Sequence, residues 1–70
     1  MTKRELKKLR KKLPKGWADT LAIKFRHSVT YIRAIIYGDK PNEYVVSAAI
    51  DMAEEYQKQL EEQKLKIKSL

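Results

Sequence analysis

Two glycines and two prolines divide this chain into segments with the pattern of helices. The chain has 70 residues, and Pro14, Gly16, Gly38 and Pro41 fall in two short clusters. Between the clusters, apolar residues recur three and four positions apart, as in amphipathic helices, and no alternation typical of a strand persists. The sequence therefore predicts an all-α fold of four helices, with boundaries near residues 14–16 and 38–41.

The size and composition limit what can stabilise such a fold. Seventy residues form one domain at most, with a modest core. The sequence contains no cysteine and one histidine, which excludes disulfides and argues against structural zinc. Helix packing, or association with a second copy, must then supply the stability.

The first predicted helix covers residues 2–12 and is strongly basic. Thr2 and Glu5 have the spacing of a capping box at its start. The apolar stripe is narrow and consists of Leu6, Leu9 and Leu13. This pattern favours a helix packed in a bundle, with a solvated outer face, over one that lies on a membrane. Contact of the basic face with phosphates is the functional alternative.

The middle of the chain predicts two short helices joined by a tight turn. The second helix covers residues 17–25 and the third covers residues 28–37, with Ser28 as its N-cap and Gly38 as its stop. Ala22 is small enough to let the two helices cross closely. The predicted inner faces are Leu21, Ala22 and Phe25 on the second helix, and Ile32, Ile35 and Ile36 on the third.

This geometry leaves Val29, Thr30 and Arg33 pointing outward at the start of the third helix. A helix-turn-helix presents its second helix to the major groove of DNA in this way. Arg33 is able to form a bidentate bond to guanine, worth about 1–3 kcal/mol of discrimination. Thr30 and Val29 carry methyl groups that suit thymine. We therefore predict that these three residues contact bases.

A second set of residues is predicted to contact phosphates rather than bases. Trp17 has an alternative role, which is to anchor the first helix to the core. Tyr31 and Tyr37 have the alternative of lying half-buried as wedges between helices. The predicted phosphate contacts are Lys15, Gly16, Trp17, Lys24, Ser28, Tyr31, Tyr37 and Lys40.

The charge is concentrated in one half of the chain. The formal net charge is +7, but residues 1–40 hold 12 lysines and arginines against 3 acidic residues, whereas residues 41–70 hold 4 lysines against 6 acidic residues. A basic half beside a slightly acidic half indicates a surface for a polyanion and a separate role for the remainder. Lysines that only keep a small domain in solution are the simpler explanation.

The middle segment resembles the helix-turn-helix of the phage repressor and Cro superfamily over about residues 15–56. The matching residues are Ala22, Ser28, Ile32, Ile35 and the run Gly38-Asp39-Lys40. The resemblance implies a small DNA-binding transcriptional regulator of bacteria or their phages.

Two positions depart from the family pattern. Arg26 stands where a turn glycine is usual, and His27 stands where valine is usual. We expect His27 to be half-buried between helices, with phosphate binding or pH sensing as its functional alternative.

The fourth predicted helix runs from Asn42 to about Leu70, with Asn42 as its cap. Its first half is expected to cover the core, so that residues 1–56 form the DNA-binding domain, with the helix-turn-helix proper at 17–38. Residues 57–70 form an extension, which is either a frayed solvated helix or a coiled-coil arm for dimerisation through Tyr56, Leu60 and Ile67. The apolar stripe consists of Val46, Ala49, Ala53, Tyr56, Leu60 and Ile67.

The sequence thus predicts a protein that binds double-stranded DNA as a homodimer, without catalysis, metal or other cofactor. No constellation of catalytic residues, glycine-rich phosphate loop or RNA-binding signature is visible. No apolar run is long enough for a membrane helix or a secretory signal, so we expect a cytoplasmic protein. The alternative is a helical protein-interaction module, such as an adaptor or a phage-encoded inhibitor, that uses the residue 46–60 stripe.

Overall fold

A computed structural model describes residues 2–68, apart from the side chain of residue 68, and this part of the chain forms four helices and no strand. The helices are α1 (Lys3–Lys12), α2 (Trp17–Phe25), α3 (Val29–Ile36) and α4 (Glu43–Lys68). The predicted all-α fold is confirmed. The predicted continuation of the last helix through Ser69 and Leu70 lies outside the described residues. None of the four helices combines the length and apolar character that crossing a bilayer requires.

Three of the helices begin at side chains that accept hydrogen bonds from the first turn. The Thr2 hydroxyl accepts the Glu5 N–H at 3.2 Å, and the Glu5 carboxylate accepts the Thr2 N–H at 3.2 Å, which completes a capping box. Ser28 and Asn42 each accept the N–H three residues on, at 3.1 and 3.2 Å. All three predicted caps are therefore confirmed.

The connection between α2 and α3 occupies only three residues and depends on a left-handed backbone. Arg26 has φ +56° and is the one residue other than glycine with positive φ among the described residues. The His27 N–H then donates to the Ala22 carbonyl at 3.0 Å, which closes the turn. A left-handed conformation costs a residue with a β-carbon about 1 kcal/mol. The turn therefore holds an arginine in a conformation that glycine adopts at little cost.

The core lies where α2 and α3 pack against each other and against the first half of α4. Leu21, Ile32, Ile35 and Ile36 are almost completely buried, as the sequence predicts. The first residues of α4 differ from the prediction, because Val45 is fully buried whereas Val46 is half-buried. The other buried side chains are Leu6, Leu9, Leu13, Ala18, Ala22, Ala49 and Ala53. Ala18 was not among the residues predicted to be buried. Phe25, which was predicted to lie on an inner face, is only half-buried.

Helix α4 runs beside α1 in the same direction and then continues past it. Leu6 shares a groove with Val46 at one end of α1, and the Gln57 side-chain amide donates to the Lys12 carbonyl at the other end, at 3.3 Å. Residues 58–68 extend beyond this point for roughly 16 Å at 1.5 Å per residue. Ile67 in this extension is 70% exposed. The extension therefore offers apolar side chains that the described part of the chain does not cover.

Candidate nucleic-acid interface

The outer face of α3 is a polar stripe on a helix whose opposite face is buried. Thr30, Arg33 and Tyr37 are exposed, and their spacing of three and four residues places them on one side of the helix. Ala34 lies on the same side and is half-buried. Ser28, the cap at the start of the helix, is also exposed. The described part of the chain therefore leaves the amino-terminal end of α3 open.

Val29 and Tyr31 border this outer face rather than lying within it. Both side chains are half-buried and pack against the core. The prediction that Val29 points wholly outward is therefore wrong, because position 29 lies closer to buried Ile32 and Ile36 around the helix than to Thr30. The remaining exposed part of Val29 forms the rim of the face. Only this rim of Val29 is available for the predicted contact with a base.

Tyr31 brings two other side chains to one border of the α3 face. The His27 ring lies 4.6 Å from the Tyr31 ring, centroid to centroid, and the Lys40 ammonium lies 5.4 Å from the same ring. His27 is exposed, so the expectation that it is half-buried between helices is wrong. The reason is that His27 follows the left-handed residue, outside either helix. Lys40 is thus placed beside the predicted base-contacting residues.

Arg10 reaches the carboxyl end of α3 and was not among the predicted site residues. Its guanidinium donates from Nη1 to the Ile36 carbonyl at 2.9 Å and lies 4.0 Å from the centroid of the Tyr37 ring. A cation at the last carbonyls of a helix also complements the helix dipole. Arg10 and Ile36 are 26 positions apart, so no local sequence pattern indicates this contact. The contact joins α1 to the carboxyl end of α3.

The other predicted phosphate contacts lie at the two ends of α2. Lys15 is exposed just before α2, and Lys24 is exposed in its last turn, 5.9 Å from the Phe25 ring. Gly16 is the N-cap of α2, with φ +82°. The Trp17 side chain is half-buried against the core, which fits its alternative role as an anchor, and the Trp17 backbone N–H donates to the Pro14 carbonyl at 3.3 Å. No described contact joins Lys15 or Lys24 to α3.

The predicted dimerisation residues lie on the face of α4 that begins in the core. Positions 45, 49, 53, 56, 60 and 67 follow one side of the helix at heptad-like spacing. Tyr56 and Leu60 are half-buried, whereas Ile67 is exposed. Leu65, which is 67% exposed, lies on the opposite side of the helix because two residues correspond to a rotation of about 200°. Ile67 therefore continues the core face beyond the body of the domain.

The described residues offer little that indicates another kind of site. They contain no group of three histidine, aspartate or glutamate side chains placed to hold a metal ion. An open groove of about 660 Å³ lies between α1 and α4, with lysine and glutamate side chains on its walls.

Comparison with protein-family models, curated proteins and solved structures found no match. The functional argument therefore depends on the geometry of α3 and its surroundings.

Proposed function

We propose that this protein binds double-stranded DNA with sequence preference by placing α3 in the major groove. The observation that carries the proposal is the open polar face of α3, which has Thr30 and Arg33 at its centre and cations at two points of its border. Lys40 lies at the Tyr31 border, and Arg10 lies at Ile36 and Tyr37. A major groove about 12 Å wide admits one α-helix and is bordered by phosphates on both sides. The arrangement of side chains matches this pattern.

Within this proposal, Arg33 and Thr30 contact base edges. The guanidinium of Arg33 carries parallel donors that match the two acceptors of guanine, and the threonine hydroxyl both donates and accepts. The rim of Val29 supplies an apolar surface for a thymine methyl. Arg33 is exposed at the helix surface, so its side chain has room to extend into a groove. These three residues supply the sequence preference.

The phosphate contacts hold α3 in register on the duplex. Lys40 and the Tyr37 hydroxyl lie next to the α3 face, and Ser28 lies at its amino-terminal end. Lys15, Lys24 and the backbone near Gly16 contact the phosphate chain farther along, where α2 crosses it. Trp17 and Tyr31 take part less, because their rings are half-buried in the domain. Such contacts carry no sequence information, but they dominate affinity.

The role that fits these features is a small transcriptional regulator, as the resemblance to the phage repressor and Cro superfamily implies. One copy presents one α3, so a sequence-specific site of ordinary length requires two copies related by a two-fold axis. The Tyr56, Leu60 and Ile67 face of α4 is the proposed contact between the copies. A bacterial cytoplasm, including that of a phage-infected cell, is the corresponding location.

A protein-interaction module is the competing proposal, and the fold counts against its simplest form. That form needs an open apolar stripe along the first half of α4. Ala49 and Ala53 are buried instead, and Val46 is packed against the core. The exposed large apolar side chains of α4 are Tyr44 at its start, and Leu65 and Ile67 in the extension, and they do not form one continuous stripe. A second copy of the chain paired along the Ile67 face would cover Ile67.

The proposal is tested by two alanine variants with different expected effects. Arg33→Ala removes a base contact, so we expect weaker binding to a selected site and a relaxed preference at one base pair. Lys40→Ala removes a phosphate contact, so we expect weaker binding to every duplex and a salt slope smaller by about 1. Fluorescence anisotropy with labelled selected and random duplexes, each at several salt concentrations, measures both effects.

Two results would contradict the proposal. The first is a wild-type protein that shows no salt-dependent binding to any duplex. The second is an Arg33→Ala variant that keeps the full ratio of selected to random affinity. Leu65→Ala serves as the control variant, because Leu65 lies in the α4 extension, away from α3.

A further inference from the structure

Helix α1 has two basic edges that face different parts of the molecule. Lys3, Lys7 and Arg10 recur at spacings of four and three residues and therefore follow one edge. Lys8 and Lys12 follow the other edge. The two edges carry similar charges on the same helix. Their surroundings distinguish them.

The first edge lies against the carboxyl end of α3. Arg10 binds the Ile36 carbonyl and covers the Tyr37 ring, as described above. The stem of Lys3 covers Gly38, since a β-carbon at position 38 would lie 3.1 Å from Lys3 Cγ. Lys7 is exposed between these two contacts. The edge therefore runs beside the carboxyl end of α3 and Gly38.

The second edge lies against the acidic part of α4. Lys8, Lys12 and Lys58 line the groove between the helices together with an equal number of carboxylates, Glu5 of α1 and Glu54 and Glu61 of α4. These carboxylates lower the positive potential along this wall. Near the first edge, Asp39 follows the contacted Gly38, and Glu43 and Lys40 line a groove together with Gly38 and Leu6. The excess of positive charge is therefore greater beside α3 than beside α4.

We propose that the Lys3–Lys7–Arg10 edge of α1 is a phosphate-binding strip that contacts the DNA backbone beside the carboxyl end of α3. The inference deepens the proposed function and rests on it. With α3 in the groove, the backbone that passes the carboxyl end of α3 comes within reach of this edge. Arg10 is a positioning residue, because its guanidinium is held by Ile36 and Tyr37. Lys3 and Lys7 supply the mobile ammonium groups that bind phosphate oxygens.

The strip has a quantitative signature in the salt dependence of binding. Each phosphate contact on duplex DNA contributes about 0.9 to the slope of log affinity against log salt concentration. The double variant Lys3→Gln/Lys7→Gln should therefore reduce the slope by about 2. The ratio of wild-type to variant affinity should therefore fall about tenfold between 50 and 200 mM salt. Glutamine keeps a good helix propensity, so α1 is expected to persist.

The matched control is Lys8→Gln/Lys12→Gln, which removes the same charge from the other edge of the same helix. Each protein is titrated into a labelled random-sequence duplex at four salt concentrations, after circular dichroism has shown equal helix content. The expected result is a smaller slope for the first variant and a slope within 0.5 of wild type for the control.

Three outcomes would overturn the inference in distinguishable ways. Equal, wild-type slopes for both variants would show that α1 contacts no phosphate. Equal loss of slope in both variants would show a general effect of net charge rather than a strip beside α3. Absence of salt-dependent binding by the wild type would overturn the proposed function itself, and the inference with it.

Discussion

Arg10 is the residue whose contacts most clearly exceed what its neighbours in the sequence indicate. Its half-buried guanidinium joins α1 to the end of α3 through the Ile36 carbonyl and the Tyr37 ring. A hydrogen bond to a charged donor and a cation–π contact together contribute about 1–2 kcal/mol when they are partly exposed. The basic character of α1 gives no sign of this role. Six other lysines and arginines lie in the same helix.

We predict that Arg10→Ala lowers the free energy of unfolding by about 1–2 kcal/mol, because both contacts are lost. Lys11→Ala is the control, since Lys11 is exposed and the substitution is expected to change stability by less than about 0.5 kcal/mol. Urea unfolding followed by circular dichroism measures both values. Equal stabilities of the two variants would show that the Arg10 contacts do not hold α1 to α3.

Single residues also show where sequence reasoning succeeds and where it fails. The resemblance places Arg26 at the turn position where glycine is usual, and its φ of +56° is the left-handed conformation that such a position requires. His27 and Val29 were placed wrongly, because periodicity gives the centre of a helix face but not its borders. The exposed or half-buried state of a border residue depends on neighbours from other elements.

At the scale of elements, the helix starts were predictable because a cap involves only residues three apart. The capping box of α1 also has an electrostatic consequence. The Glu5 carboxylate accepts hydrogen bonds from the Thr2 N–H and the Thr2 hydroxyl, and these bonds lower the pKa of Glu5. Because the pKa is lowered, the stabilisation that the ionised Glu5 carboxylate contributes to the cap is fully present above the ordinary pKa of glutamate. It is lost as the pH falls through the lowered value.

We predict that Thr2→Ala moves the pKa of Glu5 back toward its ordinary value, because the hydroxyl bond is lost and the N–H bond is weakened. Thr20→Ala is the control, since the Thr20 hydroxyl donates to the Gly16 carbonyl in α2, far from Glu5 in sequence. NMR titration of the Glu5 side-chain carboxyl carbon measures the pKa in each protein. A Glu5 pKa that is the same in Thr2→Ala and wild type would contradict this account of the cap.

The register of α4 was less predictable than its start. A heptad-like pattern begins equally well at Val45 or Val46, and a shift of one residue rotates the buried face by about 100°. The fold places Val45 in the core because α2 and α3 lie on that side of α4. Such long-range packing cannot be obtained from the local pattern. From Ala49 onward, the predicted and observed faces agree.

At the scale of the whole molecule, the α4 extension gives the domain a surface that its own described residues do not cover. The molecule measures 45 Å in its longest dimension, against 25 and 15 Å in the others. Ile67 continues the core face into solvent, and Leu65 lies on the other side of the helix. A second copy paired along the Tyr56–Leu60–Ile67 face would bury Ile67 and leave Leu65 exposed.

We predict that Ile67→Glu raises the dimer dissociation constant at least tenfold, because burial of an isoleucine contributes about 1.5–3 kcal/mol. Leu65→Glu, the same kind of change on the opposite side of α4, should leave dimerisation unchanged. Sedimentation velocity over a range of protein concentrations measures both. A wild-type protein that is monomeric at every concentration, free and on DNA, would exclude this face as a dimer contact.

The central claim is that α3 of this molecule recognises a DNA sequence, and selection from a pool of random duplexes with the purified protein tests it most directly. The account predicts enrichment of one site composed of two inverted half-sites, about 10 base pairs apart centre to centre or a multiple of that distance. It also predicts that the Arg33→Ala protein loses the preference at one position of each half-site. A pool that remains random after repeated selection with the wild-type protein would contradict the account. An identical enriched site for wild type and Arg33→Ala would remove Arg33 from the recognition of bases.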